Sequence, residues 1–226
     1  MINVVAILFF SIQCLMIIWS FISSIMFINK NSNRNLRFFV IYTSASVIVM
    51  IPMVLMIFSR FKLIHYDMNF SFADSINNYS LLFNYLFLSV FIIYSMPGYR
   101  FTKLIWGLFF VFFAFIINSL FTNISNIPSY NAFAINHFAL IIFSIIFLIK
   151  LFFNLPETNI IDYPLFWIVI GVLSCSVINF PLFYLLDLLT KLKENNVNTW
   201  WLTNLRPLGY SIMYFMFSIA FKISKK

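Results

Sequence analysis

The sequence predicts an all-α polytopic membrane protein, a bundle of seven transmembrane helices, and three observations predict it. Of the 226 residues, 63% are hydrophobic and only 9% are charged, whereas a soluble domain carries roughly 25% charged residues. Mean hydropathy is +0.98. The apolar residues gather into stretches long enough, or nearly so, to cross a hydrocarbon core of about 30 Å as helices. These stretches are continuous rather than alternating, which sets a transmembrane barrel aside.

The helices are predicted at about 4–28, 37–58, 79–96, 101–121, 130–153, 164–189 and 200–220, within a single domain spanning 1–226. The first lacks a basic leader and a small-residue cleavage site, so it reads as a retained helix rather than a signal peptide. The second holds Pro52 as a kink. The third stops at the breaker pair Pro97-Gly98. The fourth follows at once, and the fifth ends before Pro156. The sixth opens on Pro164, a residue suited to a first helical turn, and holds Pro181 as a kink. The seventh, WWLTNLRPLGYSIMYFMFSIA, contains Arg206 followed by Pro207 and Gly209. The longest loop, 59–78, carries Arg60, Lys62, His65, Asp67 and Asp74, and has room for a turn of interfacial helix but for no domain. No repeat of fixed period stands out.

The net charge of +8 is a topology signal in such a chain. Lys30, Arg34, Arg37, Arg100, Lys103, Lys150, Lys222, Lys225 and Lys226 fall on one side; Arg60, Lys62, Lys191 and Lys193 fall on the other. The positive-inside rule then places the N-terminus outside and the C-terminus in the cytoplasm. The expected partners are the lipid bilayer and a membrane or cytoplasmic signalling protein, not nucleic acid. Cys14 and Cys175 lie near the middle of apolar stretches and read as buried free thiols acting as small hydrophobes, although sequence alone does not decide whether they meet.

Arg206 is the residue around which the polar content is organised. Every other Lys or Arg lies in a loop, at a segment end or in the C-terminal tail. A guanidinium keeps its proton, so it must snorkel, face a wet cavity or pair with an acid. Asp187, at the end of the preceding helix, is the nearest acid in sequence. Depth along alternating helices places Gln13, Asn84, Asn118, Asn136, His137, Asn179, Asp187, Asn204 and Arg206 in the same half of the membrane, the outer one. Arg206, Asp187, Asn179, His137, Asn118, Asn84 and Gln13 are therefore the candidate lining of an outer-half polar cavity. The plainer reading is that Asn and Gln near helix ends reach interfacial water or join helices, each worth under about 1 kcal/mol, and that His137 is a packing residue. Trp200-Trp201, Tyr163 and Trp167 fit an interfacial aromatic belt.

Chemistry-bearing motifs point away from an enzyme. The seventh helix has no lysine before Lys222, so a retinal Schiff base has no nucleophile. No carboxylate pair, His pair or Cys cluster marks a protease or metal centre, and the loop pair His65-x-Asp67 has no further ligand nearby. With four glycines in the chain, no phosphate-cradling loop appears. No cofactor or metal is expected.

The stretch DYPLFWIVIG holds Pro164, Phe166, Trp167 and Gly171, and resembles a P-x-FW-x-x-x-G signature. That signature belongs to small seven-helix membrane proteins of Bacteroidetes, mostly uncharacterised. Family members often carry a Glu in helix three and a His early in helix seven, near which this chain has Asn84 and Asn204. The resemblance implies sensing or signalling by association, in a bacterial inner membrane.

The readings that follow are a receptor-like or sensory bundle acting through a partner, a transporter or channel-like protein, and a structural subunit of a membrane complex. A lipid-acting enzyme would have only His137, Asp187 and Arg206 to work with. The one-sided polar cluster favours the receptor. A channel needs a polar path through the inner half, where the polar groups are weak ones such as Thr43, Ser44, Ser46, Ser174 and Ser176.

Overall fold

The computed structural model describes residues 2–27, 34–60, 70–96, 102–122, 129–154, 159–191 and 200–224. Among them are α1 (Ile2–Phe27), α2 (Arg34–Arg60), α3 (Phe70–Tyr94), α4 (Thr102–Thr122), α5 (Tyr130–Asn154), α6 (Pro164–Lys191) and α7 (Trp200–Ile223). A single turn of 3₁₀-helix, Ile160–Asp162, precedes α6, and no strand occurs among the described residues. The helices fall on the seven apolar stretches. The His65-x-Asp67 pair, the Pro97-Gly98 breaker, Pro156 and the terminal Lys225-Lys226 lie outside the described residues.

The largest boundary difference is at α3, which begins at Phe70 rather than near 79. Hydropathy rises only after the polar run Asp74 to Asn78, but polar residues at a helix end can stay helical where they meet water. The shift moves Asn84 from the opening of the helix to beyond its midpoint. α2 likewise runs from Arg34 to Arg60 with Pro52 inside it. α6 and α7 continue through Pro181 and Pro207, where the missing N–H and the ring clash remove one intrahelical bond each.

Local chemistry sets two helix starts. The Ser129 hydroxyl accepts from the Ala132 backbone N–H at 3.3 Å, the N-cap arrangement that satisfies a first-turn donor. The same hydroxyl lies 3.0 Å from Ser119 Oγ, so the cap of α5 is also tied to the end of α4. Before α6, the Trp167 indole N–H donates to the Ile161 carbonyl at 2.8 Å, and Pro164 supplies a first helical residue that needs no donor.

Each helix packs against its successor, α3 also reaches α5, and α1 packs on α7 to close the ring. Short connections make sequential helices neighbours; the α1–α7 contact is the long-range closure. α6 packs most extensively against α7. The distribution of side chains is inverted relative to a protein in water. Ser20, Ser24, Thr43, Ser89, Asn136, His137, Ser144, Ser176 and Asn179 are buried, while Leu15, Trp19, Ile48, Phe110, Phe115, Phe152 and Phe215 face outward. A contiguous apolar exterior of this kind needs an apolar surrounding. Among the described residues four helices are long and apolar enough to cross a membrane, over Ile7–Met26, Thr102–Phe121, Tyr130–Asn154 and Pro164–Leu189. α2 and α3 carry shorter apolar segments, Leu36–Pro52 and Asn78–Tyr94.

The interior has two aromatic layers. Near the start of α2, Phe39 packs edge-on against Phe217 of α7 at 4.7 Å and tilted against Phe91 of α3 at 4.8 Å. Toward the other end of the bundle Phe133 of α5 stacks on Phe183 of α6 at 4.7 Å. The polar groups lie between and beside these layers.

Candidate functional site

The site follows from helical spacing. On α5, Phe133 and His137 are four residues apart and share a face. On α6, Ser176, Asn179 and Phe183 follow the same stripe. On α7, Arg206, Gly209, Tyr210, Met213 and Tyr214 recur at intervals of three and four. These stripes converge with α2 and α3 on a small cavity of about 10 Å³, room for about one water molecule. Its polar lining is Tyr42, Asn84, Asn136, His137, Ser176 and Tyr210.

His137 is the junction. It is 2% exposed, its Nδ1 lies 3.4 Å from Ser176 Oγ on α6, and its Nε2 lies 3.5 Å from the Tyr210 hydroxyl on α7. Both are long for hydrogen bonds, so the imidazole is loosely rather than tightly held. Its ring also stacks on Phe183 at 5.4 Å. Across the cavity the Tyr42 hydroxyl donates to Asn84 Oδ1 at 2.8 Å, a bond of full strength between α2 and α3. Five helices thus meet through polar side chains at one level of the bundle. The buried oxygens Asn136 Oδ1, Asn179 Oδ1 and Ser144 Oγ have no partner among the described residues. In a low-dielectric interior an unmade bond costs more than a made one returns, so polar capacity here is unspent.

Arg206 lies about 9 Å along α7 from Trp200 at 1.5 Å per residue. Its guanidinium carbon lies 4.5 Å from the centroid of Phe183 and 5.6 Å from that of Phe133, and its Nε is buried with no acceptor among the described residues. Among those residues no ion pair joins it to Asp187. The expected pairing is replaced by aromatic stacking: Phe183, not the carboxylate four residues later on α6, comes over the guanidinium. A cation over a ring gains about 2 kcal/mol when desolvated. That is below the roughly 2.5 kcal/mol or more that a guanidinium costs at the membrane centre, so stacking lessens the penalty without removing it.

No known protein family, curated protein or solved structure matches the chain.

The structure brings only part of the expected set together. Asn84 and His137 line the cavity. Arg206 stands next to it, joined through Phe183 to His137. Asn179 is fully buried on the α6–α7 interface, its Nδ2 donating to Cys175 Sγ at 3.3 Å. Asp187 is half-buried further along α6, Asn118 is exposed on α4, and Gln13 is half-buried on α1; none of the three lines the cavity. Both cysteines are free, Cys175 buried and Cys14 half-buried. Among the described residues no group of three or more His, Cys, Asp or Glu side chains comes together.

Sequence reading missed Tyr42, Tyr210 and Phe183, and assigned Ser176 to the weak polar groups of the inner half, whereas it meets His137. A signal existed for the tyrosines. Tyr42 lies about 12 Å into α2 and Tyr210 about 15 Å into α7 by helical rise. That is too deep for an interfacial belt, and a buried phenol needs a hydrogen-bond partner. Phe183 is one of 32 phenylalanines, and nothing in sequence separates it from the rest.

Proposed function

We propose that the protein is a seven-span membrane receptor of the sensory kind, with its N-terminus outside and its C-terminus in the cytoplasm of a bacterial inner membrane. It binds a small ligand toward the outer end of the bundle and passes a helix shift to a partner protein. The observation that carries this reading is the junction at His137, where α5, α6 and α7 meet through contacts of 3.4 and 3.5 Å. We read this junction, with its long bonds beside unpartnered buried oxygens, as the place where ligand binding shifts the helices. Orientation is supported by Arg37 at the start of α2, Lys103 at the start of α4 and Lys222 near the end of α7, all exposed. In an alternating bundle these positions share one end, the basic end that faces the cytoplasm. Among the described residues the buried polar side chains toward the cytoplasmic end are mainly serines and threonines, such as Ser24, Thr43, Ser89 and Ser218, which is why a transport path is the weaker reading.

The test is a distance measurement. Spin labels on outward-facing Phe138 and Leu208 report the α5–α7 separation in nanodiscs, with and without compounds that raise the melting temperature in a small-metabolite screen. A stabilising compound that shifts the distance distribution supports the receptor. Stabilisation with an unchanged distribution refutes the switch, and accumulation of the compound inside proteoliposomes makes the protein a transporter.

A further inference from the structure

We infer that Arg206 is the ligand-holding residue of the bundle, and that the group it holds is an oxyanion, a carboxylate or phosphate borne on an apolar body. This rests on the reading of the chain as a ligand-binding membrane protein and names the chemical class of the ligand.

Three observations carry the inference. The guanidinium cannot discharge by losing its proton, and among the described residues no carboxylate pairs with it. Phe183 and Phe133 take up its aromatic contacts, and stacking on a ring leaves the in-plane N–H donors free. One of these, Nε, is enclosed and has no acceptor. Those donors form a planar fork, which matches the two oxygens of a carboxylate or phosphate. The second observation is Asn179. It is fully buried, its Oδ1 is unpartnered, and it lies against Gly209, one turn along α7 from Arg206. Polar capacity is therefore unfilled on both helices at this end of the α6–α7 seam. The third is the scarcity of acids: 6 Asp and Glu stand against 14 Lys and Arg in the chain, so the chain has few anions of its own with which to satisfy an intramembrane guanidinium. The phenylalanines beside the charge favour an anion attached to a ring or an acyl chain over a bare, strongly hydrated ion.

The experiment uses the full chain in phosphatidylcholine nanodiscs. Melting temperature is followed against benzoate, inorganic phosphate and, as cationic control, benzylamine. A parallel sample replaces part of the phosphatidylcholine with phosphatidylglycerol. The expected result is saturable stabilisation by benzoate or by the anionic lipid and none by benzylamine. Arg206→Lys should weaken the apparent affinity at least tenfold, and Arg206→Leu should abolish the effect. Because Arg206→Leu could fail to fold, the wild-type protein is also treated with phenylglyoxal, and modification at Arg206 is read by peptide mass spectrometry. Protection of Arg206 by benzoate or anionic lipid supports the site without any variant. Stabilisation by benzoate in pure phosphatidylcholine identifies a soluble ligand; stabilisation only with phosphatidylglycerol identifies a lipid headgroup. If the protein responds to benzylamine equally, or if neither anion protects Arg206 from phenylglyoxal, the oxyanion site is refuted while the receptor reading stands. Arg206-dependent stabilisation that leaves the α5–α7 distance unchanged upholds the oxyanion site and refutes the receptor.

Discussion

Gly209 on α7 lies against the Asn179 side chain of α6 so closely that a Cβ at position 209 would sit 2.6 Å from Nδ2 and 3.3 Å from the Cys175 carbonyl oxygen. The seam has a reciprocal contact one stretch along. A Cβ on Gly171 of α6 would sit 2.9 Å from Met216 Cβ and 3.1 Å from the Met213 carbonyl oxygen on α7. Each helix therefore offers a glycine to the other, which lets the backbones approach and gain dispersion contacts where no hydrophobic effect separates protein from lipid. The glycine of the P-x-FW-x-x-x-G stretch has a packing role in this chain.

Alanine substitutions at the three resolved glycine environments should therefore rank. Gly171→Ala meets atoms on or next to the backbone of α7 that cannot swing away, and should cost about 1–3 kcal/mol as overpacking. Gly209→Ala meets a side-chain amide that can rotate, and should cost less. Gly107 on α4 has nothing within 4 Å of a built Cβ, and Gly107→Ala should be neutral or stabilising by up to about 1 kcal/mol through helix propensity. Thermal unfolding in nanodiscs measures the order. Equal melting temperatures for Gly171→Ala and Gly107→Ala would show that the helices are not in close contact.

Tyr42→Phe removes the donor to Asn84 Oδ1 and should destabilise by about 0.6 kcal/mol, the average for interhelical hydrogen bonds in membranes, and by no more than about 1.7 kcal/mol, their upper end. Tyr85→Phe removes a 2.7 Å bond to the Phe109 carbonyl of α4 and should cost a similar amount. Tyr79 is 72% exposed, so Tyr79→Phe is the control and should leave the melting temperature where it is. A control loss as large as the other two would mean that the phenol contacts are not what holds these helices.

At His137 the question is packing against polarity. His137→Phe keeps a ring to stack on Phe183 and gives up only the long contacts to Ser176 and Tyr210. As a volume-conserving change it should cost less than about 1.5 kcal/mol. His137→Ala empties a fully enclosed position and should cost about 3 kcal/mol or more. If both variants unfold at the same temperature, the polar contacts outweigh the packing, and the junction is tighter than its distances say.

The orientation is checked at the C-terminus. A reporter fused after Lys226 should be active in the cytoplasm, and one that is active only in the periplasm should be silent there. The reverse pattern would invert the bundle and place the Arg206 end on the cytoplasmic side.

What was legible in the sequence was what depends on composition along a helix. Continuous apolar runs bounded by loops and prolines marked α4, α5 and α6 to within a few residues, because a segment in lipid must satisfy its own backbone and so must be helical throughout. Arg206 was also legible as the exceptional residue, since a charge inside an apolar stretch stands out before its neighbours are known. The start of α3 was not, because hydropathy reports where lipid begins rather than where helical geometry does. Nine polar-rich residues ahead of Tyr79 keep that geometry, from Phe70 onward.

By itself, the sequence determined an all-helical chain of continuous apolar stretches, with Arg206 as the exceptional charge inside the last of them. Tertiary structure alone decided that α1 closes on α7, that Tyr42 meets Asn84, that His137 stands between Ser176 and Tyr210, and that Phe183 rather than Asp187 faces the guanidinium. The physical reason is the rotation and axial offset of each helix. Successive residues are about 100° apart, from 3.6 residues per turn. Asp187 lies four positions beyond Phe183, on nearly the same face but about 6 Å further along α6, so axial offset decides between those two, while the rotation of each helix is set by packing against all its neighbours at once. In a chain whose polar and apolar residues are both scattered around every helix, no local pattern announces that rotation, and only the assembled ring resolves it.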